Sequence, residues 1–183
     1  MRDIMSIHEI VLPETEPETE WILGRAVQKV SPYRTHARLQ GHIHAALLQW
    51  EKGHGEVAPE WRFRIAPPGE IRRPLVPDVA FVSSDRLRGL QGYDLEVPPF
   101  APDVAVEILS PGYRLAHLEH KIAVYLAGGA SLIVVVDPPK RRVTLHDQEC
   151  VRVLSDEDVL EHAALPGFRL SLADLFSALD RPR

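Results

Sequence analysis

The chain has few cysteines, no long apolar run and no excess of positive charge, and each shortage excludes a class of protein. Cys150 is the only cysteine among 183 residues, so neither an internal disulfide nor a thiolate zinc site can form. No uninterrupted apolar run approaches the roughly 20 residues that a membrane-spanning helix needs. The formal net charge of -5 argues against a protein that coats nucleic acid non-specifically, because that mode depends on basic surface.

The N-terminal stretch also lacks the basic patch and apolar core of a secretory signal, and it becomes acidic instead. We therefore expect a cytoplasmic protein. No internal repeat and no Gly/Ser linker divides the chain, so we expect one domain over residues 1–183. No Gly-rich phosphate loop, dinucleotide fingerprint or nucleophile elbow is present, which argues against nucleotide hydrolysis, hydride transfer and serine hydrolysis.

The N-terminal half predicts a hairpin, a helix and two strands. Short apolar stretches on either side of Gly24 predict the hairpin. Ser31 followed by Pro32 predicts a helix start, and the helix stops near Gly53. Apolar residues at spacings of three and four predict the buried face of this helix, formed by Leu39, Ile43, Leu47 and Trp50. Alternation over residues 61–65 and an apolar run over residues 75–82 predict the strands.

The C-terminal half contains the pattern of a βαβ unit. The pattern predicts a strand over residues 103–109, a helix over 115–126 ended by Gly128 and Gly129, and a buried strand over 132–136. Two strands joined in this way are expected to be parallel, with a right-handed crossover. Residues 142–146 and 150–154 predict an antiparallel hairpin of edge strands. The fold class is α/β, with a mixed central sheet flanked by helices. The edge strands and the Trp21 hairpin make a homodimer plausible.

Two carboxylates interrupt apolar strands, and both need a compensating partner. Glu107 would cost several kcal/mol as an unpaired buried charge, and Asp78 interrupts the run over residues 75–82. If the two strands are neighbours, both carboxylates could hold Mg²⁺ with waters. Asp103 shares a strand face with Glu107 but lies roughly 13 Å away, too far to share one ion. The alternative is a strand-end aspartate and a glutamate paired with an arginine.

Lys121 lies on the crossover helix, one turn before Tyr125. From there its ammonium could point toward Glu107 and act on a phosphate or on an attacking water. The alternative is a surface lysine with a buried aliphatic stem.

Histidines and arginines offer further candidates. His42 and His44 diverge on a helix, whereas His117 and His120 are three apart and could meet on zinc or lie on the surface. Four basic residues precede Asp78, namely Arg62, Arg64, Arg72 and Arg73. They could contact substrate phosphates beside the acidic site, or they could form a solvated strand face and turn.

Many of these residues belong to one longer pattern. Its members are Glu20, Gly24, His36, Pro77-Asp78-Val79, Phe81-Val82, the stretch from Pro102 to Pro111, Lys121, Tyr125, Gly129, Val136-Asp137-Pro138 and Leu165-Pro166-Gly167-Phe168. In this order they resemble the Uma2 family of putative restriction endonucleases, a branch of the PD-(D/E)xK nuclease superfamily. The resemblance covers nearly the whole chain.

The resemblance implies a restriction-endonuclease-like core and a Mg²⁺- or Mn²⁺-dependent nuclease acting on DNA. Asp78 and Glu107 would be the metal ligands, and Lys121 would be the catalytic lysine, relocated to the helix because Leu109 stands where the superfamily motif has lysine. Glu20 would also line the site. A non-catalytic binding or regulatory module that keeps the fold is the alternative. Alanine at Asp78 or Glu107 is expected to abolish cleavage with similar or higher thermal stability, because a repulsive pair is relieved.

Overall fold

The computed structural model describes residues 9–180. Strands β1 to β12 span Thr19–Ile22, Arg25–Gln28, Gly55–Pro59, Phe63–Ile65, Arg73–Leu75, Val79–Ser83, Val104–Ile108, Leu132–Asp137, Arg142–His146, Val151–Leu154, Val159–Leu160 and Leu170–Ser171. Helices α1 to α5 span Arg34–Trp50, Ser84–Leu87, Tyr93–Glu96, Leu115–Ala127 and Leu172–Ser177. The prediction of no secretory signal falls partly on residues 1–8, outside the described residues. Within the described range, no helix is long and apolar enough to cross a membrane.

The central sheet has six strands in the order β10-β9-β8-β7-β6-β3. Strands β7 and β8 are parallel and are joined through α4, whereas the other neighbouring pairs are antiparallel. The predicted βαβ unit and the mixed sheet are therefore confirmed. The predicted β9–β10 hairpin is also present, but β9 is internal because it pairs with β8 on its other side.

Helices cover both faces of the sheet because alternate strand residues point to opposite sides. On one face, Val79 and Val106 pack in a core with Leu39 and Leu47 of α1. On the other face, Ala80, Ala105 and Ile133 pack with Val124 and Tyr125 of α4. Glu107 follows the alternation of Ala105, so its side chain lies on the α4 side.

The N-terminal hairpin is confirmed as β1 and β2. The two strands pair from Thr19 with Gln28 to Ile22 with Arg25. Its two-residue turn has positive φ at both positions, 49° at Leu23 and 76° at Gly24. A turn of this kind matches the twist of the flanking strands, which explains the tight connection.

The predicted start of the first helix is wrong. Tyr33 is the N-cap residue in extended conformation, without a side-chain hydrogen bond, and α1 begins at Arg34. Ser31 therefore does not cap the helix. The end of α1 at Trp50 agrees with the predicted stop near Gly53.

The predicted strand over residues 75–82 is two strands, because the chain leaves one pairing and enters another at residues 76–78. Pro77 has no N–H to donate to a ladder, and the backbone of Asp78 donates to Val106 O at 2.9 Å. The edge strand β3 was not predicted, since its glycine and proline resemble a loop.

Gly128 is packed too closely for a side chain. A methyl group there would contact Ile65 Cγ2, Val124 O at 2.9 Å and Ala101 Cβ at 3.1 Å. We expect Gly128→Ala to lower the free energy of unfolding by about 1–3 kcal/mol, measured by urea denaturation. Gly41→Ala, at an exposed position of α1 with nothing within 4 Å of the added methyl, is the control and should raise the free energy of unfolding by roughly 0.5–1 kcal/mol. Equal stability of the two variants would contradict the close packing at Gly128.

Candidate active site

The register of β6 and β7 brings Asp78 alongside Glu107. The pairing ends with Val79 opposite Val106; Asp78 comes directly before Val79 and Glu107 directly after Val106, so both lie at the same end of the two strands. The Asp78 side chain also binds this strand, since Oδ2 accepts a 2.6 Å hydrogen bond from Ile108 N. Two carboxylates far apart in the sequence are therefore held at one end of adjacent strands.

Asp78 is buried, and two basic side chains contact its carboxylate. Lys29 Nζ lies 2.8 Å from Oδ1, and His36 Nε2 lies 3.1 Å from Oδ2. Burial favours the neutral form of Asp78, but the Lys29 charge and the His36 hydrogen bond outweigh it and hold its pKa well below the ordinary value. Asp78 is therefore ionised at neutral pH.

Glu107 is buried beside one lysine and one tyrosine. Lys121 Nζ lies 2.7 Å from its carboxylate, and Tyr125 donates a 2.9 Å hydrogen bond to Oε1. Burial raises the pKa of Glu107 to about 7, because it outweighs the favourable charge of Lys121 and is reinforced by the negative charges of Asp78 and Glu20. Ionisation of Glu107 is therefore balanced near neutral pH.

Lys121 bridges two carboxylates from different parts of the chain. Besides Glu107, it contacts Glu20 Oε1 at 2.8 Å, and the same Glu20 oxygen accepts a 2.8 Å bond from Val76 N. Burial lowers the pKa of Lys121, but the charges of Glu107 and Glu20 outweigh it and raise the pKa above the ordinary value. Lys121 is therefore an ammonium ion at neutral pH, which suits stabilising a negative charge better than abstracting a proton.

A cavity of about 190 Å³ opens onto this cluster. Both carboxylates, Glu20 and Lys121 line it. The exposed Arg114 and the half-buried His117 also line it, and Arg25 hydrogen-bonds His117 at 3.2 Å. The cluster is therefore accessible from outside, past basic side chains.

The donor chemistry of this cavity fits a hard divalent cation. Across residues 9–180, no group of three or more His, Cys, Asp or Glu side chains is arranged to hold a metal ion. Mg²⁺ is commonly bound by only one or two protein carboxylates, with water and substrate phosphate completing the shell. Asp78 and Glu107 supply such a pair. Among residues 9–180, the buried Nδ1 of His36, a residue that lines this cavity, has no hydrogen-bond partner.

The surroundings of the two carboxylates change the expected effect of alanine there. Each carboxylate is paired with an ammonium group and further donors. Alanine at Asp78 would leave the buried amide of Ile108 and the imidazole of His36 without their acceptor. We therefore expect alanine to reduce stability, and the conservative amides are better test variants.

The other sequence candidates lie elsewhere or have structural partners. Asp103 directly precedes β7, at the end of that strand opposite Glu107, and its carboxylate accepts hydrogen bonds from Ser83 N at 2.7 Å and from Arg86 at 3.2 Å. None of the four basic candidates lines the cavity, and acidic partners contact each of Arg62, Arg64, Arg72 and Arg73.

The sequence alone did not identify Lys29 as a site residue. His36 and Tyr125 were named, but their contacts with Asp78 and Glu107 were not predicted. Tyr125 had a signal, because it lies four residues after Lys121 and so on the same helix face. Lys29 follows β2 in an irregular segment without periodicity, so no sequence pattern connects it with Asp78. Gln40 was missed too; it donates to the backbone oxygen of Asp78 at 2.9 Å.

The mixed sheet with its N-terminal hairpin is a restriction-endonuclease-like fold, and a solved structure shares it. The crystal structure of a putative nuclease belonging to DUF820 from Anabaena variabilis ATCC 29413 matches with a TM-score of 0.79 and 26% identity, over 92% of this chain and 94% of that chain. The Uma2 family, described as "Putative restriction endonuclease", matches residues 8–173, and the chain belongs to this family. No curated protein matches the chain.

Proposed function

We propose that this protein is a metal-dependent endonuclease that hydrolyses DNA phosphodiester bonds. Asp78 and Glu107 would hold Mg²⁺ or Mn²⁺, and Lys121 would act on the substrate phosphate. The observation that carries the proposal is that Asp78 and Glu107 lie at the same end of adjacent strands and line one open cavity, with an ammonium 2.7 Å from Glu107. The family and the DUF820 neighbour support the nuclease class. The cytoplasmic location and the homodimer stay predictions.

The residues divide the work as follows. When bound, the ion would polarise a water and a phosphate oxygen. Lys121, held as an ammonium by Glu107 and Glu20, can donate to a phosphate oxygen as negative charge builds up there. His36 and the amide of Ile108 orient the Asp78 carboxylate. The exposed Arg114, which lines the cavity, favours an anionic substrate.

Plasmid cleavage tests the proposal. Supercoiled DNA and a matched RNA are incubated with the native chain and Mg²⁺ or Mn²⁺, with and without a chelator. We expect DNA nicking that requires the ion, and a decrease of at least about a hundredfold in Glu107→Gln, because one carboxylate charge at the site is lost. Glu119→Gln, exposed on the same helix, is the control and should stay within about twofold of native.

The alternative of a non-catalytic module predicts different results. It predicts no nicking by the native chain and no heat of Mn²⁺ binding. Equal nicking by Glu107→Gln and the native chain, purified identically, would contradict the site assignment. Preferential cleavage of the RNA would keep the site but change the substrate class.

A further inference from the structure

Lys29 occupies the candidate metal site without a role in the proposed chemistry. Its ammonium lies 2.8 Å from Asp78 Oδ1 and 3.1 Å from Val76 O. It also lies 2.6 Å from Glu60 Oε2. Lys29 thus lines the same cavity as Asp78 and Glu107 while connecting Asp78 to a carboxylate nearer the surface.

The two oxygens of Asp78 are already engaged. Oδ2 accepts from Ile108 N at 2.6 Å and lies 3.1 Å from His36 Nε2, while Oδ1 contacts Lys29. A divalent cation bound to Oδ1 would therefore take the place of the Lys29 ammonium. Two cations at one carboxylate oxygen are close enough to repel each other strongly.

The two lysines of the cluster differ in how easily they could leave. Lys121 lies between the buried carboxylates of Glu107 and Glu20, and its side chain is 7% exposed. The side chain of Lys29 is 15% exposed, and its second partner Glu60 is 41% exposed. Lys29 can release Asp78 and keep an ion pair with Glu60, which Gln40 holds through a 2.8 Å hydrogen bond to Oε1.

We propose that Lys29 is an internal competitor of the divalent ion for Asp78, released toward Glu60 when the ion binds, so that it sets the metal affinity of the site. This inference rests on the proposed metal site. It assigns Lys29 a positioning role, since the lysine acts through Asp78. Removing its charge strengthens metal binding, whereas removing its outer partner Glu60 weakens metal binding.

Calorimetric titration of the full chain with Mn²⁺ tests this competition without any activity assay. We expect the Kd of Lys29→Met to fall at least about tenfold, because the attraction of Asp78 is no longer offset by an ammonium. Glu60→Gln should raise the Kd several-fold. Lys140→Met is the matched control, because Lys140 is an exposed lysine that forms a 2.9 Å ion pair with Asp137. The Kd of this variant for Mn²⁺ should equal the native value.

Thermal unfolding with and without Mn²⁺ gives a second measurement, in which the ion should raise the Tm of Lys29→Met more than that of the native chain. If Lys29→Met fails to fold, Lys29→Gln removes the charge and keeps a donor.

The outcomes separate the competition from the proposed function. If the native chain binds Mn²⁺ and the Lys29 variant binds it equally or more weakly, the competition is overturned and the proposed function stands. Absence of Mn²⁺ binding in both proteins overturns the metal site and the competition together. Binding by the Lys29 variant alone supports the competition and contradicts a metal-dependent native enzyme.

Discussion

Lys121→Met is expected to lower the free energy of unfolding by about 3–5 kcal/mol, because two buried carboxylates lose the cation between them. Glu107 lies 2.7 Å and Glu20 2.8 Å from this ammonium. Methionine keeps the length and packing of the side chain, so the loss comes from charge. For a chain of this size the Tm should fall by roughly 6–20 °C, measured by calorimetry.

The charge origin of this loss has its own controls. Adding Glu107→Gln to Lys121→Met should recover part of the stability, since one unpaired carboxylate is removed. The loss should also be smaller at pH 5 than at pH 8, because Glu107 can become neutral by binding a proton. Lys140→Met removes an exposed, singly paired lysine and should change stability by less than about 1 kcal/mol. A Lys121→Met variant as stable as this control would show that the cluster does not depend on the lysine.

The second expected result is a loss of stability as the pH rises through the range in which Glu107 ionises. Burial raises the pKa of Glu107 from 4.5 to about 7 in the folded chain. The folded state therefore keeps a proton that the unfolded chain releases above about pH 4.5, so this stabilisation is fully present below that pH and is lost toward pH 7. The change amounts to about 3 kcal/mol, since a pKa difference of one corresponds to about 1.4 kcal/mol.

Glu107→Gln isolates this contribution, because glutamine has no proton to release and the other titrating groups are the same in both proteins. The stability of the native chain relative to Glu107→Gln should fall between pH 4.5 and pH 7, measured by urea denaturation in the presence of a chelator. Mn²⁺ needs the ionised carboxylate, so its affinity should rise over the same pH range. A stability difference that does not vary with pH would mean that Glu107 titrates as an ordinary exposed glutamate.

The fold was predictable where local patterns and burial agree. The strand containing Glu107, the helix containing Lys121 and the buried strand after it form β7, α4 and β8 as expected, because period-two and period-3.6 patterns are local signals. Two boundaries failed, at Ser31 and at Pro77. At Pro77 the chain follows a contact with a distant residue, the hydrogen bond from Asp78 N to Val106 O, which no local pattern reports.

Part of the candidate site could also be found from the sequence. Asp78 and Glu107 attract notice because an ionised group in an apolar strand is costly, and Lys121 because it lies four residues before Tyr125 on a helix facing the sheet. Glu20 and His36 were suggested by family resemblance, and their contacts with Lys121 and Asp78 come from the structure. Lys29 was not suggested at all, because a lysine in an irregular segment resembles any surface lysine.

The sequence by itself determined the class of the fold and the candidate acidic residues, because hydrophobic periodicity and the cost of buried charge act on neighbouring positions. Only the tertiary structure decided which cation contacts which carboxylate. Lys29 reaches Asp78 from 49 positions away and Lys121 reaches Glu20 from 101 positions away. Contacts of this range depend on strand order and on the packing of the hairpin, and charges attract their partners in space irrespective of their order in the chain.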